Sequence, residues 1–338
     1  MSDNKLGSWV RRFLIEYLVG ERNLSRNTQK SYRDTLCLLL PFVSQDAKRR
    51  TDQLLVEDIT ADRVGVFLQN LKATRNCGPA TLNQRLAAIH SLSHFISLHN
   101  PELVQWCGEI RAIQGKKAPH PLINYLEKEE MDALLAAPNR ESEQGRRDHA
   151  VLIFLYNTGA RADEVAHVRM GDLDLAAMPD RDPSSVLIHG KGNKQRRCPL
   201  WANTVNELIP LVANRSPSEH VFRNRRAQPL TRFGIHGVVE RHAKAAAETR
   251  PSMAKKKLSP HTIRHTTATH LLRAGVDINT IRAWLGHVSL ATTNIYAEVD
   301  LQTKAKALAS CQVGEGPNAE KDQRYRDDKD LMVFLKGL

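Results

Sequence analysis

Four stretches between residues 158 and 296 carry side chains whose types and spacing suit work on a phosphate ester. In Ser259-Pro260-His261-Thr262-Ile263-Arg264-His265, a hydroxyl sits at a natural N-cap and a proline at the first helical position. His261 and Arg264 are then i and i+3. An imidazole and a guanidinium project from one face at a helix N-terminus, where free N–H groups and the helix dipole already favour an anion. Phosphate suits such a site; an ordinary polar helix end with surface His and Arg is the alternative.

Thr158-Gly159-Ala160-Arg161-Ala162-Asp163-Glu164 places a glycine turn before an arginine that opens a helix. The guanidinium can aim at a phosphate or pair with Glu164 three positions on. Gly190-Lys191-Gly192-Asn193-Lys194 reads as a hairpin tip with two ammonium groups. It lacks the spacing of a nucleotide-binding P-loop, and a lysine on such a tip can reach into a site and deliver a proton. In the segment from Trp284 to Tyr296, Gly286 is a helix C-cap and His287 lies in the turn. Ser289 can cap a short helix bearing Tyr296. Together these groups supply a phenolic nucleophile, a proton donor and cationic stabilisation for a phosphodiester.

The elements that must position them follow from pattern. In the first third, Ser25 caps a helix with Tyr32, Leu36, Leu39 and Leu40, which Pro41 is expected to halt. Thr60 caps a second, where Val64, Phe67, Leu68 and Leu71 form one apolar stripe. Pro79 opens a third with Leu82, Leu86, Ile89 and Ile96. Basic residues such as Arg26 and Arg33 are scattered among these helices. A short basic Pro/Gly-bearing stretch, Gln114 to Pro121, resists helix and strand alike and reads as a linker. Beyond it, Leu126 to Ala137 is helical. Ala150 to Tyr156 is a buried helix, and Val186 to His189 and Gln195 to Leu200 are strands of a hairpin. Helices follow at 203–212, 234–247 and 260–274. The tail from Gly314 is polar until Leu331-Met332-Val333-Phe334-Leu335.

Composition supports a polyanionic partner. The 338 residues include 49 Lys and Arg against 37 Asp and Glu, a formal charge of +12. The length suggests two domains. The sequence has neither the apolar run of a spanning helix nor the pattern of a signal peptide. The five cysteines form no Cys-x-x-Cys pair, which points to reduced thiols in a cytoplasmic protein rather than a disulfide or zinc scaffold. No carboxylate cluster suggests Mg²⁺, and no metal or other cofactor is expected.

Thr-Gly-Ala-Arg (158–161), Gly-Lys-Gly-Asn-Lys (190–194), His-Thr-Ile-Arg-His (261–265), Leu-Gly-His (285–287) and Tyr296 stand in the order and approximate spacing of the tyrosine recombinases. The chain resembles this family of phage-type integrases and Xer-like recombinases strongly over residues 126–300. The resemblance implies a mainly α fold with a small β-sheet hairpin. A helical SAM-like core-binding domain (1–113) and a linker (114–125) would precede a mixed α/β catalytic domain (126–312). The tail (313–338) would fold back or dock on a neighbouring protomer. Ile263 for the usual Leu and Cys198 for a usual branched aliphatic are small departures.

The same resemblance implies a site-specific DNA recombinase that cleaves and rejoins strands through a 3′-phosphotyrosyl intermediate, without metal or ATP. Arg161 and Arg264 would grip the scissile phosphate, and His261 would act as base or hydrogen-bonding partner. His287 would bind a phosphate oxygen, Lys191 would protonate the leaving 5′ oxygen, and Tyr296 would be the nucleophile. Glu164 would support the site. Lys116 and Lys117 in the linker, with Arg26 and Arg33, would contact double-stranded DNA. A dimer on each site and a tetramer in synapsis are implied, as are accessory or co-encoded recombinases as partners and roles such as transposition of mobile elements. The same residues would also suit a type IB topoisomerase or a telomere resolvase.

Overall fold

A computed structural model describes residues 4–117, 124–175, 183–190, 192 and 194–286. The chain divides into two compact units, Met1–Pro121 and Leu122–Leu338.

Local caps start the helices of the first unit. Helix α1 (Leu6–Arg12) runs on as a π-helical segment, Phe13–Glu21. Ser25 Oγ accepts from the Thr28 N–H at 3.4 Å and starts α2 (Arg26–Asp46). Thr60 Oγ1 accepts from Arg63 N at 3.2 Å and starts α3 (Ala61–Arg75). Pro79 occupies the first turn of α4 (Pro79–His99), and α5 is Val104–Arg111. The apolar stripes expected on α3 and α4 are buried, and Phe13, Leu39, Phe67 and Phe95 are at most 1% exposed.

Pro41 does not halt α2; it lies inside it. A proline removes the N–H that would bond the carbonyl four residues back. That residue, Cys37, is exposed, so water can take the missing donor's place. Burial of Leu36, Leu39 and Val43 on the opposite side holds the helix together.

Beyond α5, the side-chain amide of Asn83 on α4 grips the backbone of Lys116 in both directions. Its Oδ1 accepts from Lys116 N, and its Nδ2 donates to Lys116 O, both at 2.8 Å. This ties the first residues of the expected linker to the first unit; its residues 118–123 lie outside the described ones.

The second unit is built on α7 (Glu143–Thr158), whose residues from Ala150 to Thr158 are all buried. Around it pack α6 (Lys128–Ala136), α9 (Ala202–Val212), α10 (Arg232–Thr249) and α11 (Pro260–Arg273). Helix α8 (Ala162–His167) follows the Gly159 turn, and α12 (Ile278–Leu285) ends at Gly286. A three-stranded antiparallel sheet has the order β1 (Leu173–Asp174), β2 (Ser185–His189), β3 (Gln195–Pro199). The hairpin register pairs His189 with Gln195, Ile188 with Arg196 and Val186 with Cys198. Strand β1 has two residues, too short to leave a period in sequence. The fold is thus mainly helical with one small sheet, as expected. Among the described residues, no helix is long and apolar enough to cross a membrane.

Candidate active site

The site is assembled at the C-terminal end of α7. A helix leaves its last carbonyls without partners of its own. Here side chains from distant sequence supply them. Thr267 on α11 donates to Tyr156 O at 2.8 Å, Trp284 Nε1 on α12 donates to Asn157 O at 3.2 Å, and Arg264 Nη1 donates to Gly159 O at 2.7 Å. Gly159 closes the helix with φ +59°, and a Cβ there would lie 2.5 Å from Leu285 Cδ2. Only glycine permits both this turn and this approach of α12.

Arg264 is 1% exposed. Its second nitrogen, Nη2, donates to Leu285 O at 2.7 Å, so one guanidinium joins the C-terminal ends of α7 and α12. Both ends carry partial negative charge, which favours a buried cation. Ser259 caps α11 through the N–H of Thr262, and Pro260 takes the first turn, as the sequence suggested. His261 is exposed while Arg264, one turn on, points inward.

The imidazoles of His261 and His265 meet edge to face, centroids 4.3 Å apart. Partial desolvation of the ring by its neighbours lowers the His261 pKa below its ordinary value, and the charges of Arg264 and Arg161 lower it further. Burial, His261 and Arg264 push His265 down to about 4. At neutral pH both rings are neutral, and a neutral imidazole can accept a proton.

Arg161 is the N-cap of α8. Its N–H donates to Glu164 Oε2 at 2.9 Å and its Nη1 to Glu164 Oε1 at 2.7 Å, while 43% of its side chain stays exposed. Of the two sequence readings, the ion pair is formed, and the guanidinium still reaches solvent. Arg196 Nη2, from β3, donates to Glu164 Oε2 at 2.7 Å. Burial alone would push the Glu164 carboxyl up; Arg196 first, then Arg161, hold it below the usual carboxylate value.

Beside these groups opens a cleft of about 1000 Å³ between the hairpin and α12. Arg161, Lys194, Arg196, Arg197 and Arg282 line it, with no acidic side chain among its described lining residues. Low-dielectric walls with one sign of charge focus the field on an anion.

The structure therefore brings together Arg161, Glu164, His261 and Arg264. Lys191, His287 and Tyr296 lie outside the described residues, as does the tail 313–338. Arg26, Arg33, Lys116 and Lys117 belong to the first unit and are exposed, Arg33 in an ion pair with Asp34 at 2.7 Å. Tyr156, a phenol next to the site, is pushed up to about 12 by burial and is bonded to His270 Nδ1 at 2.7 Å, which suits packing rather than attack. Among the described residues, no three His, Cys, Asp or Glu side chains converge on a metal position.

Sequence reasoning missed Arg196. Its signal was present. In the alternating strand Gln195 to Pro199, Arg196 shares a face with the buried Cys198, so one of two adjacent arginines had to point inward and find a carboxylate.

Residues 124–303 match the phage integrase family, and residues 10–98 match its N-terminal SAM-like domain. The chain is 33% identical over 98% of its length to y4rC of Sinorhizobium fredii, named an integrase/recombinase, and covers 98% of that protein. It is 28% identical to the tyrosine recombinase XerC of Staphylococcus haemolyticus, over 92% of this chain and 97% of that one. Among solved structures, XerH recombinase bound to palindromic difH substrate matches with a TM-score of 0.67 at 22% identity, covering 85% of this chain and 81% of the other. The Tn1549 transposon integrase in complex with transposon right end DNA matches with a TM-score of 0.67 at 16% identity, over 90% and 99% of the two chains. At those identities the likeness is one of fold, and it agrees with the architecture above. The family match spans more than half of the sequence and a relative at a third identity runs end to end, so this chain belongs to the phage integrase family, as a site-specific tyrosine recombinase whose catalytic domain follows a SAM-like domain.

Proposed function

We propose that this recombinase cleaves and rejoins double-stranded DNA through a 3′-phosphotyrosyl link at Tyr296, without metal ion or ATP. The observation that carries the reading is the meeting of Arg161, His261 and Arg264 beside a cleft lined with cations. An in-line displacement at phosphorus gathers negative charge on the non-bridging oxygens, and two fixed guanidiniums can hold it.

In this mechanism the Tyr296 Oη–P bond forms as the P–O5′ bond breaks. The phenol proton passes to neutral His261, and Lys191 gives a proton to the leaving 5′ oxygen. His287 holds a phosphate oxygen. Glu164 keeps Arg161 in place. An unperturbed phenol has a pKa of about 10, so it needs both a base and nearby cations at neutral pH. The covalent link keeps the phosphodiester energy, and attack by a 5′ hydroxyl reverses it.

Lys116, Lys117, Arg26 and Arg33 would contact phosphates of the duplex. A dimer per site and a tetramer in synapsis are part of the proposal. The DNA complexes of XerH, and the lambda integrase dimer bound to a COC′ core site, support a duplex partner and a paired arrangement.

The test is covalent trapping. The protein is incubated with genomic DNA of its host and quenched in detergent, and the linked fragments are sequenced. A nicked duplex of the recovered site should then accumulate adduct with wild type and none with Tyr296→Phe. Absence of adduct from wild type, or adduct from the phenylalanine variant, overturns the proposal.

A further inference from the structure

Arg196 occupies a position that the chemistry above leaves unexplained. Its side chain is 10% exposed, and both ends of its guanidinium are committed. Nη2 donates to Glu164 Oε2 at 2.7 Å, and Nε donates to Trp284 O, at the end of α12, at 2.8 Å. The side chain also packs under Gly286, where a Cβ would come within 3.3 Å of its Cδ and Nη1. The backbone at Gly190 lies alongside the pair: a Cβ there would lie 3.4 Å from Glu164 Oε1 and 3.8 Å from Arg196 Nη1.

We propose that Arg196 is a positioning residue for Arg161: from β3 it braces the carboxylate that holds Arg161 and fastens the end of α12 to the hairpin. The inference rests on the strand-cleavage reading. One planar fork spans three pieces: the N-terminus of α8 with Arg161 through Glu164, strand β3 that carries Arg196 itself, and the end of α12 at Trp284. Lysine, a single ammonium on a flexible stem, cannot span a carboxylate and a carbonyl in two fixed directions.

The brace has a chemical signature. With Arg196 gone, Glu164 stays buried but loses its strongest hydrogen-bonding cation. Its carboxyl then takes up a proton at higher pH and releases Arg161. An Arg196→Gln variant should therefore form adduct on the nicked duplex about 100-fold more slowly than wild type. The rate is read in single turnover with DNA in excess, so that any loss of the Arg196 charge from the cleft is separated from slowed chemistry. The loss relative to wild type should grow as pH falls, because Glu164 is protonated at higher pH in the variant. Glu164→Gln should be slow at every pH, and Arg196→Gln/Glu164→Gln should be no slower than the worse single variant. Arg196→Lys should fall between wild type and Arg196→Gln.

A second readout needs neither DNA nor turnover. In protein labelled with ¹³C at glutamate Cδ, the signal lost in Glu164→Gln identifies Glu164. It should titrate at higher pH in Arg196→Gln and, to a smaller extent, in Arg196→Lys. Wild-type adduct rates in Arg196→Gln, additive losses in the double variant, or a Glu164 titration unmoved by both substitutions would overturn the inference. Failure of wild type to form any adduct would instead sink the parent proposal, and the carboxyl titration would still decide whether Arg196 braces Glu164.

Discussion

Arg264 Nη1 donates to the carbonyl of Gly159 at 2.7 Å, across 105 positions of sequence. The same guanidinium reaches Leu285 O, so a residue from the middle of the unit fixes two helix ends at once. The left-handed turn at Gly159 presents its carbonyl in the direction this bond requires.

Gly159→Ala should destabilise the protein by about 2–4 kcal/mol, because a non-glycine at positive φ is strained and the new methyl overlaps Leu285. Chemical denaturation checks the magnitude. Cleavage should fall with it, since the carbonyl that anchors Arg264 must move. A variant as stable and active as wild type would show that α12 does not press on this turn.

Arg264→Lys should be more than a local loss. An ammonium cannot reach both the Gly159 and Leu285 carbonyls in the geometry of the planar fork. Adduct formation on the nicked duplex should drop by about 100-fold, the size expected when the groups of a site are misplaced by about an ångström. The measurement is single-turnover trapping with DNA in excess, so that weakened binding is separated from slowed chemistry.

The pH dependence of strand cleavage should follow His261. Its pKa is lowered by partial desolvation of the ring and by the charges of Arg264 and Arg161, so the neutral form persists below the ordinary histidine value. The rate should hold to lower pH than an ordinary histidine would allow before it falls. His261→Gln should be slow and lack that acid limb. A wild-type rate that halves at the ordinary histidine pKa would mean that the base is another group.

Asp148, 1% exposed, governs acid stability at the far end of α7. It accepts from Arg147 at 2.6 Å and His242 at 3.0 Å and is also bonded by Arg241. Burial opposes its charge, but these partners hold its pKa at about 2 against an ordinary 3.8. A depressed carboxylate stabilises the fold above its unfolded pKa and loses that contribution as pH falls through its folded pKa. About 2 kcal/mol should thus disappear between pH 4 and pH 2. Asp148→Asn should melt well below wild type at pH 7 and lose less on acidification. Parallel melting curves for the two proteins from pH 5 to pH 2 would contradict this.

The extent to which the sequence was legible differs from element to element, for physical reasons. Caps and stripes were legible because they are local: Ser25, Thr60, Pro79 and Ser259 start their helices where expected, and Val64, Phe67, Leu68 and Leu71 are buried together. Pro41 misled because its helix is held by burial on the opposite side, which a local rule for proline does not weigh. Strand β1 was invisible because two residues carry no period. For the site, residue types and spacing picked out Arg161, Glu164, His261 and Arg264. They did not show that Arg264 is buried against two carbonyls while His261 stays exposed, since i and i+3 share a face without sharing a depth.

By itself, then, the order of motifs pointed to the family this chain belongs to and picked out Arg161, Glu164, His261 and Arg264, which the fold brings together. The tertiary structure decided how they are held: Arg264 by the ends of α7 and α12, Arg161 by Glu164, and Glu164 by Arg196. Hydrogen bonds between residues far apart in sequence depend on the packing of whole helices. A buried arginine can settle on any acceptor that the fold brings within reach, so only the folded chain names its partner.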